Sequence, residues 1–155
     1  MRTSGTGIKG FTLIEVLVVV AIAGILVAVA AVNLFPSDEQ FARREAGNVA
    51  LAIEHARDAA WFGGLPTAIT FSDRRVREWR LAGRDWRAVA DRDRELPQEV
   101  VLGAVHVDGV PLAPRDRLVF FSDGLGIPFR VALEVRGMAW AVEGDAAGAI
   151  RLVAP

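Results

Sequence analysis

At 155 residues the chain has room for one domain, and a net charge of −1 excludes a generally basic, nucleic-acid-coating protein. It contains no cysteine, which excludes thiol chemistry and leaves the redox compartment unread. Hydrophobic residues make up 52% of it, an excess that one continuous segment accounts for in part.

The first ten residues carry Arg2 and Lys9 and no acid, and Lys9 is the only lysine. The positive-inside bias places this end in the cytoplasm and the rest across the membrane. A basic and then minimal step, Lys9-Gly10, precedes Phe11. From Val16 to Phe35 there is no charge and one strongly polar residue, Asn33. Twenty such residues at about 1.5 Å each span roughly 30 Å, the thickness of a bilayer's hydrocarbon core. Residues 11–35 therefore read as a transmembrane helix. Glu15 sits inside its apolar end, about one turn from the cytoplasmic boundary. A carboxylate at a bilayer centre costs about 2.5 to 3.5 kcal/mol, less near an edge, so Glu15 is a functional candidate. The plain alternative is an interfacial carboxylate reaching toward head groups. A secretory signal peptide cut after Ala28-Val29-Ala30 competes with the anchor, but the run is long for one and holds Glu15.

Residues 36–64 follow as an amphipathic helix. Pro36 either starts it or kinks a continuous one, and Ser37 with Gln40 forms a capping box, with Asp38 and Glu39 at the positive end. Phe41, Val49, Ala52, Ile53, Ala56 and Ala60 share one face. Arg43, Arg44, Asn48, Arg57 and Asp58 largely face away, and charged residues such as Arg43, Arg44 and Glu45 read as a solvated face, with contacts to neighbouring subunits as the alternative. Gly63-Gly64-Leu65-Pro66 stops the helix. About 120 residues lie beyond the membrane run, enough for a modest core. They carry 16 arginines against 18 acids, interspersed in sign.

Residues 65–155 read as a β domain. Strands are expected at 67–71, 76–81, 86–90, 100–107, 118–121, 129–135, 138–142 and 150–153, with turns between them at Ser72-Asp73, Gly83, Asp108-Gly109, Asp123-Gly124, Arg136-Gly137 and Gly144-Asp145. Leu118 to Phe121 suggests a buried central strand, and the polar stretch Asp91 to Pro97 a loop. Such close spacing favours antiparallel meanders. The fold class is α+β: a long N-terminal helix packed on a small antiparallel β domain, two layers deep.

The string GFTLIEVLVVVAIAGIL, residues 10–26, resembles the N-terminus of type IV pilins and type II secretion pseudopilins. The resemblance implies a leader, residues 1–10, cut by a prepilin peptidase between Gly10 and Phe11. It implies N-methylation of Phe11 and an assembly role for Glu15, which would accept from a neighbour's Phe11 amine in a filament. Removing one partner of such a buried pair typically costs about 3 to 5 kcal/mol. The order of the rest narrows the resemblance to minor pseudopilin H of type II secretion: a long helix, Gly-Gly-Leu-Pro, Trp79 and Trp86 in early strands, Leu96-Pro97, Phe121 to Gly124, and Pro128-Phe129. Implied with it are a pilin-like fold, a structural role near the tip of a periplasmic pseudopilus that helps export folded proteins, single-pass inner-membrane insertion, and other pseudopilins and an assembly platform as partners. No enzyme activity and no cofactor are implied. The alternative is a FimT-like or FimU-like minor pilin of a type IV pilus, with a role in DNA uptake.

Other chemistry is thinly represented. His55 and His106 lack neighbours at ligand spacing, so no metal is expected. Ser122-Asp123-Gly124 is a turn rather than a nucleophile elbow. Asp108, Asp123 and Asp145 belong to turn signals without calcium-loop spacing. Trp61, Trp79, Trp86 and Trp140, with Phe120, Phe121 and Phe129, are assigned to the core, one or two of the tryptophans standing as alternative exposed anchors. The arginines of Arg74 to Arg80 interleave with Trp79 in a manner suited to phosphate and base contact, but Asp73, Glu78 and Asp85 dilute them, and nucleic acid is not the expected partner.

Overall fold

The computed structural model describes residues 11–34, 37–72 and 74–154, with backbone only for 31–34. The chain divides into two units, Met1–Ser37 and Asp38–Pro155. The first contains α1 (Leu13–Leu34). Thr12 sits directly before it, and its carbonyl accepts from the amides of Glu15 (3.0 Å) and Val16 (3.3 Å), so Thr12 occupies the N-cap position. Apolar residues surround this helix on all sides. Among the described residues, α1 is long and apolar enough to cross a membrane over Leu13–Ala30.

The second unit opens with α2 (Asp38–Gly63). Ser37 directly precedes it, as a cap residue should. The question of a kink at Pro36 falls on Phe35 and Pro36, outside the described residues, as does Asp73 in the first expected turn. Ala42, Ala46, Val49, Ala50, Ile53, Ala56 and Ala60 form a buried stripe recurring every three to four residues. The many alanines let strands approach the helix axis closely. Glu45 corrects the expected solvated face: it lies within the buried stripe, where Arg94 comes to 3.3 Å and Asn48 Nδ2 donates to it at 3.2 Å.

Nine strands follow: β1 (Thr67–Ser72), β2 (Arg75–Ala82), β3 (Asp85–Glu95), β4 (Val100–Val107), β5 (Val110–Pro111), β6 (Leu118–Phe120), β7 (Phe129–Val135), β8 (Met138–Gly144) and β9 (Ile150–Val153). They form two antiparallel sheets, ordered β3-β2-β1-β6 and β5-β4-β7-β8-β9. The helix α2 packs on strands of both. Ile69, Leu118 and Phe120 of the first sheet and Val131, Leu133 and Val142 of the second complete the core with the alanine stripe.

The sheets revise several expectations. The segment Asp91–Glu95 is strand, not loop, because its acids face β2 arginines: Arg75 is the cross-strand partner of Glu95 and Arg77 of Asp93. The strand β6 is an edge strand pairing only with β1, not a central one. Its apolar character comes from contact with α2 and from Phe120, whose ring meets Phe129 of the second sheet edge-on at 6.0 Å. The two-residue strand β5 was not foreseen. It is returned onto β4 by Asp108 and Gly109, both at positive φ as a tight hairpin turn demands. Finally, Trp61 and Phe121 are exposed and Trp79 and Trp86 half-buried, so the aromatic core contracts to Trp140, Phe120 and Phe129.

Candidate functional site

Two regions combine unusual exposure with unusual chemistry. The first is α1 itself. Every side chain from Phe11 to Ala30 is exposed, including the large apolar ones around the whole circumference. In water that surface would be strongly unfavourable, at about 25 cal/mol per Å². Glu15 is the third residue of this helix, one turn beyond Phe11, and no described residue partners its side chain. The positive end of the helix dipole lies there and favours a negative charge. Phe11 and Glu15 thus stand at the same end of one helix, while Gly10 lies outside the described residues. The spacing Thr12-x-x-Glu15 before an apolar run, a capping-box pattern, would have identified Thr12 as the helix start.

The second region is the far end of α2. Trp61 and Phe62 stack there, with ring centroids 5.6 Å apart and planes at 14°, and both are exposed. Trp61 borders a groove of about 290 Å³ also lined by Phe121, Leu125, Ile127 and Ile150. From sequence, Trp61 is assigned to the core with the other aromatic residues, exposed tryptophan anchors being the alternative, and the exposed Trp61 fits that alternative. The run Trp61-Phe62 directly before the Gly63-Gly64 stop was the signal that α2 ends in an apolar cap.

The expected chemistry elsewhere resolves into structural roles. His55 Nδ1 lies 2.9 Å from Glu78 Oε2, joining α2 to β2, and His106 is half-buried in β4. Asp123 Oδ1 accepts from the Leu125 amide, and Asp145 Oδ1 from those of Ala147 and Ala149, all at 3.0 Å. Each carboxylate closes its own loop. Among the described residues no cluster of three metal-ligating side chains forms.

The arginine tract is largely neutralised. Arg77 reaches Asp93 at 2.7 Å, Arg75 reaches Asp93 and Glu95 at 3.4 and 3.3 Å, and Arg74 lies 3.8 Å from Glu95. The Arg77 hydrogen bond, with the charges of Arg77 and Arg75, holds the Asp93 carboxyl below the ordinary carboxylate range. Trp79 donates to Thr70 Oγ1 at 3.0 Å and lies under Arg117, whose guanidinium is 4.7 Å from its ring centroid. Within the tract, Arg74, Arg75 and Arg77 thus each face an acid, which leaves Arg80 as its one arginine without an ion pair among the described residues.

A family model described as type II transport protein GspH matches residues 45–148. One described as the prokaryotic N-terminal methylation motif matches residues 6–31. Two solved structures of the minor pseudopilin EpsH from the type 2 secretion system of Vibrio cholerae share the fold. One has a TM-score of 0.60 at 19% identity, over 74% of this chain and 97% of that one. The other has a TM-score of 0.57 at 18% identity, over 72% and 97%. No curated protein matches the chain significantly.

Proposed function

The chain belongs to the type II transport protein GspH family, and from that premise we propose that it is a structural, non-enzymatic minor pseudopilin of the type II secretion system. In this reading residues 1–10 are a leader that a prepilin peptidase removes between Gly10 and Phe11, and Phe11 is then N-methylated. Residues 11–35 hold the chain as a single pass in the inner membrane. Its N-terminus is cytoplasmic and its soluble unit periplasmic. An assembly platform draws it into the pseudopilus, near the tip, beside other pseudopilins.

One observation carries this reading: an apolar helix uncovered on every described side, overlapped by the methylation-motif match and followed by the GspH match. A helix apolar on all faces is stable only in lipid or packed among like helices. Storage in a bilayer followed by bundling uses both environments in turn. Glu15 gives the bundle a register, because a carboxylate drawn into it needs a cation, and a neighbour's Phe11 amine is the one the cleavage would create. The family description favours secretion over the type IV pilus alternative.

Mass spectrometry of the protein from its native cell tests the processing. The expected N-terminus is N-methylated Phe11. A chain still starting at Met1, or starting beyond Ala30, overturns the reading.

A further inference from the structure

The arginines of the β2–β3 hairpin fall into two groups. Arg75, Arg77 and Arg94 each face an acid, at 3.3, 2.7 and 3.3 Å respectively. Arg80, Arg84, Arg87 and Arg92 make no ion pair among the described residues, and of these Arg80 and Arg87 are direct cross-strand partners, both exposed. Like charges directly opposite each other destabilise an antiparallel pair, so the arrangement weakens the isolated hairpin.

Their location gives the pair a context. Arg80 is also the cross-strand partner of Thr67, whose hydroxyl donates to the carbonyl of Ala56. The two arginines therefore share the sheet face on which Thr67 meets α2. The Leu81 amide donates to Pro66 O at 2.9 Å, which holds β2 against the segment leaving that helix. This segment carries the uncovered apolar side chains Trp61 (59% exposed), Phe62 (83%) and Leu65 (47%). Trp61 lies toward β6, on the other side of β1 from the two arginines, so unpaired arginines and exposed, stacked aromatic rings occur at the same end of the unit, the composition of an interface.

We propose that this end of the soluble unit docks an acidic face of an adjacent pseudopilin, Arg80 and Arg87 together gripping its carboxylates and Trp61 and Phe62 covering apolar surface beside them. The inference rests on the assembly reading above and names the surface and the charge of the partner. Two guanidinium groups at cross-strand distance suit carboxylates that bridge them, and such a bridge relieves their mutual repulsion. A protein fits better than a nucleic acid. Arg74, Arg75 and Arg77, which would extend a positive track along β2, are paired with acids, and Trp61 and Phe62 stack on each other rather than standing apart to receive bases.

The test uses the full chain in its native membranes. The double variant Arg80→Lys/Arg87→Lys keeps the charges and supplies amines, which a water-soluble carbodiimide couples only to carboxylates in contact with them. The expected product joins one of these positions to an aspartate or glutamate of another pseudopilin, and Arg92→Lys on the same strand gives none. Absence of the product overturns the proposal. Co-isolation with other pseudopilins, read in the same samples, separates the two readings: with it, only this inference falls, and without it, the assembly reading falls too. The variant Arg80→Glu/Arg87→Glu preserves the like-charge opposition, so its melting temperature stays near the parent's while co-isolation drops on the order of tenfold. Undiminished co-isolation overturns the proposal, as does salt-sensitive retention of the parent on duplex DNA that this variant loses.

Discussion

His55 Nδ1 lies 2.9 Å from Glu78 Oε2, and the second oxygen of that buried carboxylate has no partner among the described residues. Glu78 is 4% exposed. The imidazole is thus the described hydrogen-bond partner of a buried carboxyl group between α2 and β2. His55→Ala strands the carboxylate and lowers stability by about 1 to 3 kcal/mol. His55→Leu combined with Glu78→Leu removes both polar groups and recovers most of that loss. Denaturant unfolding of the full chain in detergent measures both, and a double variant as weak as the single would refute the account.

Gly144 is held by contact rather than by backbone angle. It lies opposite Phe129, and a Cβ placed on it would come within 2.0 Å of the Phe129 ring. Gly144→Ala forces that ring out of the core and lowers stability by about 1 to 3 kcal/mol. Adding Phe129→Leu to Gly144→Ala restores part of it, whereas Phe129→Leu alone destabilises. Melting temperatures of the four proteins form the test, and simple additivity of the two changes would contradict it.

Asp93 provides a pH signature. Its carboxyl titrates below the ordinary value because the ionised form accepts from Arg77. A depressed folded-state value means the stabilisation is present above the unfolded value of about 3.9 and is lost as pH falls through the folded one. Asp93→Asn is therefore less stable than the parent near neutral pH, and the gap closes in acid. NMR titration of the Asp93 carboxyl reads the shift directly, and a midpoint at or above about 4 rules it out.

Glu15→Ala is expected to insert in the membrane and be cleaved as the parent is, because neither step needs the carboxylate. Its incorporation into pseudopili falls sharply, since about 3 to 5 kcal/mol is typical when one partner of a buried pair is removed. Quantifying the variant in isolated pseudopili against its membrane pool gives the answer, and parental incorporation would sink the register role.

The soluble unit was legible where structure is locally encoded. The stretches Val100–Val107, Phe129–Val135 and Ile150–Val153 alternate or cluster apolar residues between turn signals, and the strands have those bounds. Reading failed where a partner from elsewhere decides the outcome. Asp91 to Glu95 carries only charges, and nothing within it announces a strand until Arg75 and Arg77 are placed opposite. Glu45 looks solvated until Arg94, 49 residues away, arrives beside it. The far end of α2 misled for the opposite reason: Trp61 and Phe121 are apolar enough for a core but lie where the described residues cover them only in part.

By itself the sequence determined the apolar helix with its one carboxylate, the amphipathic helix after it and the α+β class. Those properties depend on residue order over a few turns, because hydration and backbone preference act locally. Only the tertiary structure decided which strands are edges, which acids are buried and that Arg80 confronts Arg87 across a hairpin. Pairing register joins residues far apart in the chain, and neither member of a pair records it.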